Sequence, residues 1–163
     1  HPYEVDTPIG ALAVFAYVSS DEITSIPDID LGEKPIRVES SLVRIPATIG
    51  RIRTVEGIDL GAEDNLHIVF TGRWMAKGKK DLYLKVRADD GCRLFIDGRL
   101  LLDYDGVHSL SRDSEVVRIR LSEGAHRIVV DYFEWGGEAG LDLLWSGDAD
   151  GQYRILRADQ LLP

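Results

Sequence analysis

Two adjacent carboxylates at the end of an alternating apolar segment are the feature of this sequence best suited to chemistry. Asp89 and Asp90 follow the alternating run over 82–88 and directly precede Gly91. Neighbouring carboxylates on a rigid strand raise each other's pKa unless a cation neutralises them. Ca²⁺ suits such a pair because it accepts about six to eight oxygen ligands in a flexible geometry. The alternative is a solvated turn, since Asp and Gly favour turns for their own backbone reasons.

Further acidic and aromatic residues occur downstream, in DYDGVH over 103–108 and in DYFEWGG over 131–137. An EF-hand loop with Asp103 and Asp105 at its third and fifth positions would end on Arg112, so that motif fails. A metal site would therefore be assembled from separate loops. Trp135 precedes two glycines in an expected loop, where an indole face beside carboxylates could hold a sugar ring. Its alternative role is a lid over the core.

Catalytic signatures are missing from the sequence. It contains no GxSxG, no HExxH, no phosphate-binding GxxxxGK and no Cys/His zinc spacing. The acid and base of a glycosidase normally lie about 5 to 9.5 Å apart across a cleft, which adjacent aspartates on one strand end do not suggest. We therefore predict no catalytic residues and no enzyme activity.

The elements that position these residues are predicted to be short strands. The 163 residues, 44% of them hydrophobic, suit one compact domain, and no long segment has helical periodicity. The run over 11–18 suits a strand buried on both faces, and further strands are expected over 36–45, 49–58 and 152–156, with a helical turn allowed over 157–162. Five segments alternate with period two: Leu66, Ile68 and Phe70; Leu82, Leu84, Val86 and Ala88; Val117, Ile119 and Leu121; Ile128, Val130 and Tyr132; Leu141, Leu143 and Trp145.

The clearest local signal is CRLFIDGRLLLD, in which Asp97 and Gly98 separate two apolar runs and predict a hairpin with a type I′ turn. The predicted fold class is all-β, an antiparallel β-sandwich or barrel with long surface loops. Residues 1–10 are expected to be a linker, and 11–163 a single domain. Residues 19–35 are expected to form a long surface loop.

The charge balance limits the partners. A net charge of −9 and a pI near 4.9 give no electrostatic support to a nucleic-acid or membrane-surface role. The single Cys92 allows no intrachain disulfide and is expected to be a buried space-filler. No apolar run is long enough to span a membrane, and the first residues lack the pattern of a signal peptide, so we expect a piece of a longer, multidomain protein.

Several motifs occur in an order that resembles one known family. They are FTG over 70–72, ADDGCRLFIDG over 88–98, DGVH over 105–108, LSEGAH over 121–126, VDYFE over 130–134 and GLDLLW over 140–145. This order resembles the protective-antigen lectin-like domain, often called the PA-fourteen domain. The match is strongest over 70–145.

The resemblance implies a β-sandwich module of secreted or cell-surface proteins that binds glycans, in some members through Ca²⁺ held by two aspartates joined by a cis peptide. Asp89 and Asp90 match that pair. In the yeast adhesin members an asparagine side chain and two carbonyls complete the calcium shell. The same spacing here places Asp131 at the asparagine position, with the backbone carbonyls of Phe133 and Trp135 following. The acidic residue departs from the family's asparagine.

The predicted function is thus a calcium-dependent carbohydrate-binding module of the lectin or adhesin type. Besides the aspartate pair and Trp135, we expect Glu134, Asp105 and His108 to contact the glycan, whereas Trp145 is expected in the core. One alternative is a noncatalytic structural or protein-interaction module whose acidic loops are solvated turns. Another is a specificity module appended to a glycosidase. Sugar specificity is expected to depend on loops over 19–35, 73–80 and 105–114.

Overall fold

The computed structural model describes residues 7–28, 34–48, 54–55, 58–61 and 64–163 and shows a sandwich of antiparallel sheets. The all-β prediction is confirmed. The strands of the described residues are β1 Leu12–Val18, β2 Ile36–Ser40, β3 Arg44–Thr48, β4 Thr54–Val55, β5 Ile58–Asp59, β6 Leu66–Ala76, β7 Leu82–Asp89, β8 Gly91–Ile96, β9 Arg99–Tyr104, β10 Val117–Ile119, β11 Gly124–Glu134, β12 Ala139–Ser146 and β13 Arg154–Ile155. No helix among these residues is long and apolar enough to cross a membrane.

Two sheets enclose the main core. The first has the order β2-β1-β6-β11-β8-β9, and the second has the order β10-β7-β12-β13, with β3 also paired to β12. Alternation turns Ile128, Val130 and Tyr132 of β11 toward the second sheet, where they join one buried cluster with the apolar residues of β7 and β12. Trp145 belongs to this cluster and is 6% exposed, as expected. Cys92 is fully buried, also as expected.

The chain crosses from the second sheet to the first between β7 and β8. Asp89 is the last residue of β7 and lies opposite Gly140 of β12, while Gly91 begins β8 opposite Phe133 of β11. Asp90 alone links the two sheets at this point. The aspartate pair therefore lies at one end of the sandwich, at the point where the chain passes from one sheet to the other.

The predicted hairpin joins β8 to β9. Asp97 and Gly98 have φ values of 49° and 79°, the positive values that a type I′ turn requires at both central positions. The Asp97 carboxylate also accepts a hydrogen bond from the backbone N–H of Arg127 at 2.9 Å, which ties the turn to β11.

Several expectations differ from the structure. The segment 36–45 forms two strands instead of one, because the Ser40 hydroxyl bonds both the N–H and the carbonyl of Leu42 and turns the chain there. Most of the strand expected over 49–58 cannot be compared, because residues 49–53 and 56–57 lie outside the described residues. Residues 1–6 of the expected linker and 29–33 of the expected long loop also lie outside them. The segment 157–162 contains turns and isolated bridges instead of a helical turn. Residues 73–76 belong to β6, at the end of the sheet remote from Asp89.

Candidate functional site

Asp89 and Asp90 form the centre of the candidate site. They are 6% and 2% exposed, and the peptide bond between them is cis, as the resemblance implied. The end of β11 holds the pair in place. The backbone N–H of Asp90 donates to the carbonyl of Phe133 at 3.2 Å, the backbone N–H of Trp135 donates to Asp90 Oδ2 at 2.7 Å, and the Tyr132 hydroxyl donates to the Asp89 carbonyl. Both residues are thus buried, and hydrogen bonds with residues 132–135 hold the backbone of the pair and the carboxyl group of Asp90.

The electrostatics of the pair favour an added positive charge. Burial, and then the nearby charges of Asp90 and Glu138, raise the pKa of Asp89 to about 7. Burial also raises the pKa of Asp90, although hydrogen bonds from the backbone N–H groups of Trp135 and His108 oppose this. At neutral pH one carboxyl group of the pair is therefore easily protonated, and a bound cation would relieve the same repulsion.

The β9–β10 loop packs against the start of β8. A Cβ at Gly91 would lie 2.4 Å from Cε1 of Phe133 and 2.9 Å from the backbone N and O of Gly106, so this position has room only for glycine. His108 stacks on Tyr104, with ring centroids 3.8 Å apart, and its Nε2 lies 3.0 Å from the Asp105 carbonyl. The ring of His108 therefore shapes the loop, while its backbone N–H reaches Asp90.

Asp105 ties three segments together. Its Oδ1 accepts hydrogen bonds from the backbone N–H groups of Ile26 at 2.8 Å and Gly106 at 2.9 Å, and its Oδ2 lies 3.2 Å from Arg93. These contacts give the carboxylate a positioning role between the β1–β2 loop and the β9–β10 loop. The glycan contact expected of Asp105 stays a prediction.

The β1–β2 loop lies beside the site and is bonded to Asn65 and Trp135. Asn65, with φ of 58°, accepts from the N–H of Ile23 with its side chain at 3.1 Å and donates its own N–H to the Trp135 carbonyl at 3.4 Å. Trp135 is 40% exposed, and its indole Nε1 donates to Glu22 at 2.7 Å. The indole is therefore partly exposed at the surface and is linked to the β1–β2 loop.

Asp131 does not join the aspartate pair. Its carboxylate lies 3.1 Å from Nε2 of His67, which stacks on Tyr17, on the face of the first sheet opposite to the inter-sheet core. Among the described residues, no three His, Cys, Asp or Glu side chains are grouped so as to hold a metal. Asp131, which stands where the family has asparagine, thus pairs with His67. The structure does not group it with Asp89 and Asp90, the residues with which it was predicted to bind calcium.

The other predicted residues lie close to the pair through β11. The Phe133 carbonyl accepts a hydrogen bond from the backbone N–H of Asp90, and the Trp135 carbonyl accepts one from the backbone N–H of Asn65. A carbonyl oxygen has two lone pairs. Glu134 is fully buried on the face that carries Tyr132. Burial, and then the charge of Glu134, raise the pKa of Tyr132 and keep its hydroxyl protonated as a donor to the Asp89 carbonyl.

Sequence reasoning missed three residues of this arrangement. Glu22 and Asn65 contact the site only because distant loops meet at one end of the sandwich, which no local pattern reveals. The signal available for Asn65 was its type, because Asn adopts positive φ more readily than most residues and is common in turns. The Tyr132 hydroxyl was missed because that residue was assigned to the core by its alternation.

The chain belongs to the PA14 domain family, whose model matches residues 54–157. This is the family that the motif order predicted. A search by sequence among curated proteins finds no match.

Solved structures show the same fold. The PA14 domain of the antifreeze protein MpAFP has a TM-score of 0.78 at 18% identity, over 93% of this chain and 91% of that one. The PA14 sugar-binding domain from an RTX adhesin has a TM-score of 0.73 at 16% identity, over 93% and 97%. The A domain of epithelial adhesin 6 from Candida glabrata, solved with Galb1-3GlcNAc, has a TM-score of 0.63 at 15% identity, over 95% and 87%. At these identities the likeness is one of fold.

Proposed function

We propose that this domain is a noncatalytic, calcium-dependent carbohydrate-binding module of a secreted or cell-surface protein. The observation that carries the proposal is the buried Asp89–Asp90 pair, held at the crossing between the sheets and surrounded by three loops. Membership of the PA14 family and the sugar-binding and adhesin domains among the structures of similar fold support it.

The donor set suits calcium in its chemistry. The carboxylates of Asp89 and Asp90 and the nearby carbonyls of Phe133 and Trp135 all offer oxygen, the ligand that a hard cation prefers. Thiolate and imidazole donors, which zinc and copper favour, are not part of the set, because the ring of His108 stacks on Tyr104. Bound calcium would compensate the buried negative charge and could accept sugar hydroxyls in place of water.

The glycan would lie between the aspartate pair and the exposed indole of Trp135. A sugar ring presents an apolar face to an aromatic ring and hydroxyl groups to polar atoms, and both surfaces are present here. The hydrogen bond from Trp135 to Glu22 lowers the entropy that the indole would lose on binding, because it already restricts the ring. Val107, 50% exposed in the β9–β10 loop, adds apolar surface at the same end.

The first experiment is calorimetric titration of chelator-treated protein with calcium, followed by glycan-array screening with and without the ion. The Asp89→Asn, Asp90→Asn double variant is compared with Glu115→Gln, which changes an exposed carboxylate outside the site. We expect saturable calcium uptake and calcium-dependent glycan signals from the natural chain and from Glu115→Gln, and neither from the double variant. No calcium uptake by the natural chain would refute calcium dependence, and calcium uptake without any glycan signal would favour the structural module.

A further inference from the structure

A group of basic residues lies at the end of the sandwich opposite to the aspartate pair. The residues of this basic end lie in or beside the β6–β7 turn and at the end of β10: Lys77, Lys79, Lys80, Arg118 and Arg120. All five are exposed. Since β7 begins beside this turn and ends at Asp89, its eight residues separate the two ends by about 25 Å.

The local charge is opposite to that of the whole chain. Against these five cations, this end carries the carboxylates of Asp81 and, on the neighbouring turn, Glu123. The charges of Arg99 and Asp97, which line a hollow at the same end, cancel each other, so three positive charges remain in excess on a protein of net charge −9. The turn and its neighbour are in contact, because a Cβ at Gly78 would lie 2.4 Å from the backbone N of Glu123. At physiological salt, charges about 25 Å away are largely screened, so this end presents its own positive potential.

Asp81 orders the two arginines of this end. Nε of Arg118 donates to Asp81 Oδ2 at 2.9 Å, and Nε of Arg120 lies 3.1 Å from Asp81 Oδ1. Both guanidinium groups stay accessible, with side chains 66% and 62% exposed. Each can therefore offer further N–H donors in a fixed fork, which is the geometry that carboxylate and sulfate groups accept.

Two hollows beside these cations have partly apolar linings. One of about 400 Å³ lies between Lys77, Lys79 and Lys80 and the apolar pair Leu161 and Pro163. A second, of about 490 Å³, has both polar and apolar walls. Its polar residues are Arg118, Arg120, Arg99, Asp97, Ser122 and His126, and its apolar residues are Ile96, Leu101, Ile119 and Leu121. Apolar hollows with cations at the rim fit rings that carry anionic substituents. The one aromatic ring among the described residues lining these two hollows is that of His126, which is 8% exposed and lies 2.6 Å from the Asp97 carboxylate. Neither hollow therefore offers an exposed ring on which a nucleobase could stack.

We propose that the basic end is a second binding surface, one that takes a segment of an anionic polysaccharide bearing carboxylate or sulfate groups. It acts independently of calcium and of the Asp89–Asp90 site. A protein with both surfaces would bridge two glycans, one at each end of the sandwich.

The test is fluorescence anisotropy in the presence of a chelator, with labelled dextran sulfate, labelled polygalacturonate and uncharged dextran as probes. The chelator removes the calcium site from the measurement, so its outcome is separate from that of the proposed function. The variant Lys79→Gln, Lys80→Gln is compared with Lys34→Gln, Arg112→Gln, which removes the same charge from exposed positions elsewhere.

We expect one or both anionic probes to bind, with affinity that falls steeply with salt, and no binding of uncharged dextran. The Lys79→Gln, Lys80→Gln variant should bind about tenfold more weakly, and the control variant should bind like the natural chain. Absence of binding to both anionic probes, or an equal loss in the control variant, would overturn the proposal. Equal affinity for duplex DNA of the same charge would overturn the assignment to polysaccharide.

Discussion

Lowering the pH from 8 to 5 should weaken calcium binding about a hundredfold, because protons compete for Asp89. Its carboxyl group has a pKa of about 7 when no metal is bound, as a result of burial and of the charges of Asp90 and Glu138. Calcium requires the ionised form, so below this pKa each bound ion must displace one proton. The apparent affinity then falls about tenfold per pH unit, which over two units is about 2.7 kcal/mol.

The stability of the calcium-free protein should change in the opposite sense. The pKa of Asp89 is raised above its usual value of 3.8, so between about pH 4 and pH 7 the folded state binds a proton that the unfolded state has released. The contribution of protonated Asp89 to the free energy of unfolding is fully present below about pH 4 and is lost as the pH rises through about 7. The free energy of unfolding should fall by up to about 1.4 kcal/mol per pH unit in this window.

Calorimetric calcium titration at pH 5, 6, 7 and 8 and urea unfolding in chelator measure the two effects. Measuring the heat in buffers of different ionisation enthalpy counts the protons released, which should approach one per calcium at pH 6. The Asp89→Asn variant should lose the fall in stability between pH 4 and pH 7. A calcium affinity that stays constant from pH 5 to pH 8 would refute the reasoning, as would an unfolding free energy that rises over this window in chelator.

Three further changes have definite expected outcomes. Gly91→Ala should destabilise the domain by about 1 to 3 kcal/mol in urea unfolding, because the added methyl group would overlap Phe133 and the adjacent loop. An unchanged unfolding midpoint would contradict this packing. Tyr132→Phe should cost about 1 to 3 kcal/mol, since it removes the buried hydroxyl that donates to the Asp89 carbonyl, and a neutral result would mean that another donor replaces it. Trp135→Ala should abolish glycan-array signals, because it removes the exposed indole. Calcium affinity in calorimetry should change by less than about threefold, since the hydrogen bond to Asp90 comes from the backbone of Trp135. Retained glycan binding would place the sugar elsewhere.

Local patterns predicted most of the fold. Period-two alternation gave the interior face of β7, β11 and β12, because each of these strands packs one face on the same core. The turn at Asp97 and Gly98 was predictable because its conformation depends on two residues alone. The break at Ser40 was not, because it depends on a side-chain hydrogen bond to Leu42 that leaves no periodic signal.

The centre of the candidate site was predictable, but its surroundings were not. Asp89 and Asp90 are adjacent in sequence and end a strand, so their proximity follows from the chain itself. The partner of Asp131 depends on which face of β11 its side chain occupies and on His67 of the neighbouring strand, which spacing from Trp135 does not specify. Residues 73–80 were expected to form a loop that shapes sugar specificity, but 73–76 belong to β6 and the turn that follows lies at the end remote from Asp89. The three alternating residues Leu66, Ile68 and Phe70 did not show how far β6 extends.

The arrangement of loops around Asp90 also bears on the order in which the molecule folds. Its contact with Trp135 spans 45 residues, that of Asp105 with Ile26 spans 79, and that of Trp135 with Glu22 spans 113. Closing such long segments costs chain entropy, and contacts of this kind form late and slow the folding of β-proteins. We therefore expect the site to be among the last parts of the domain to assemble, so that a partly folded or newly synthesised chain would not yet bind its ligands.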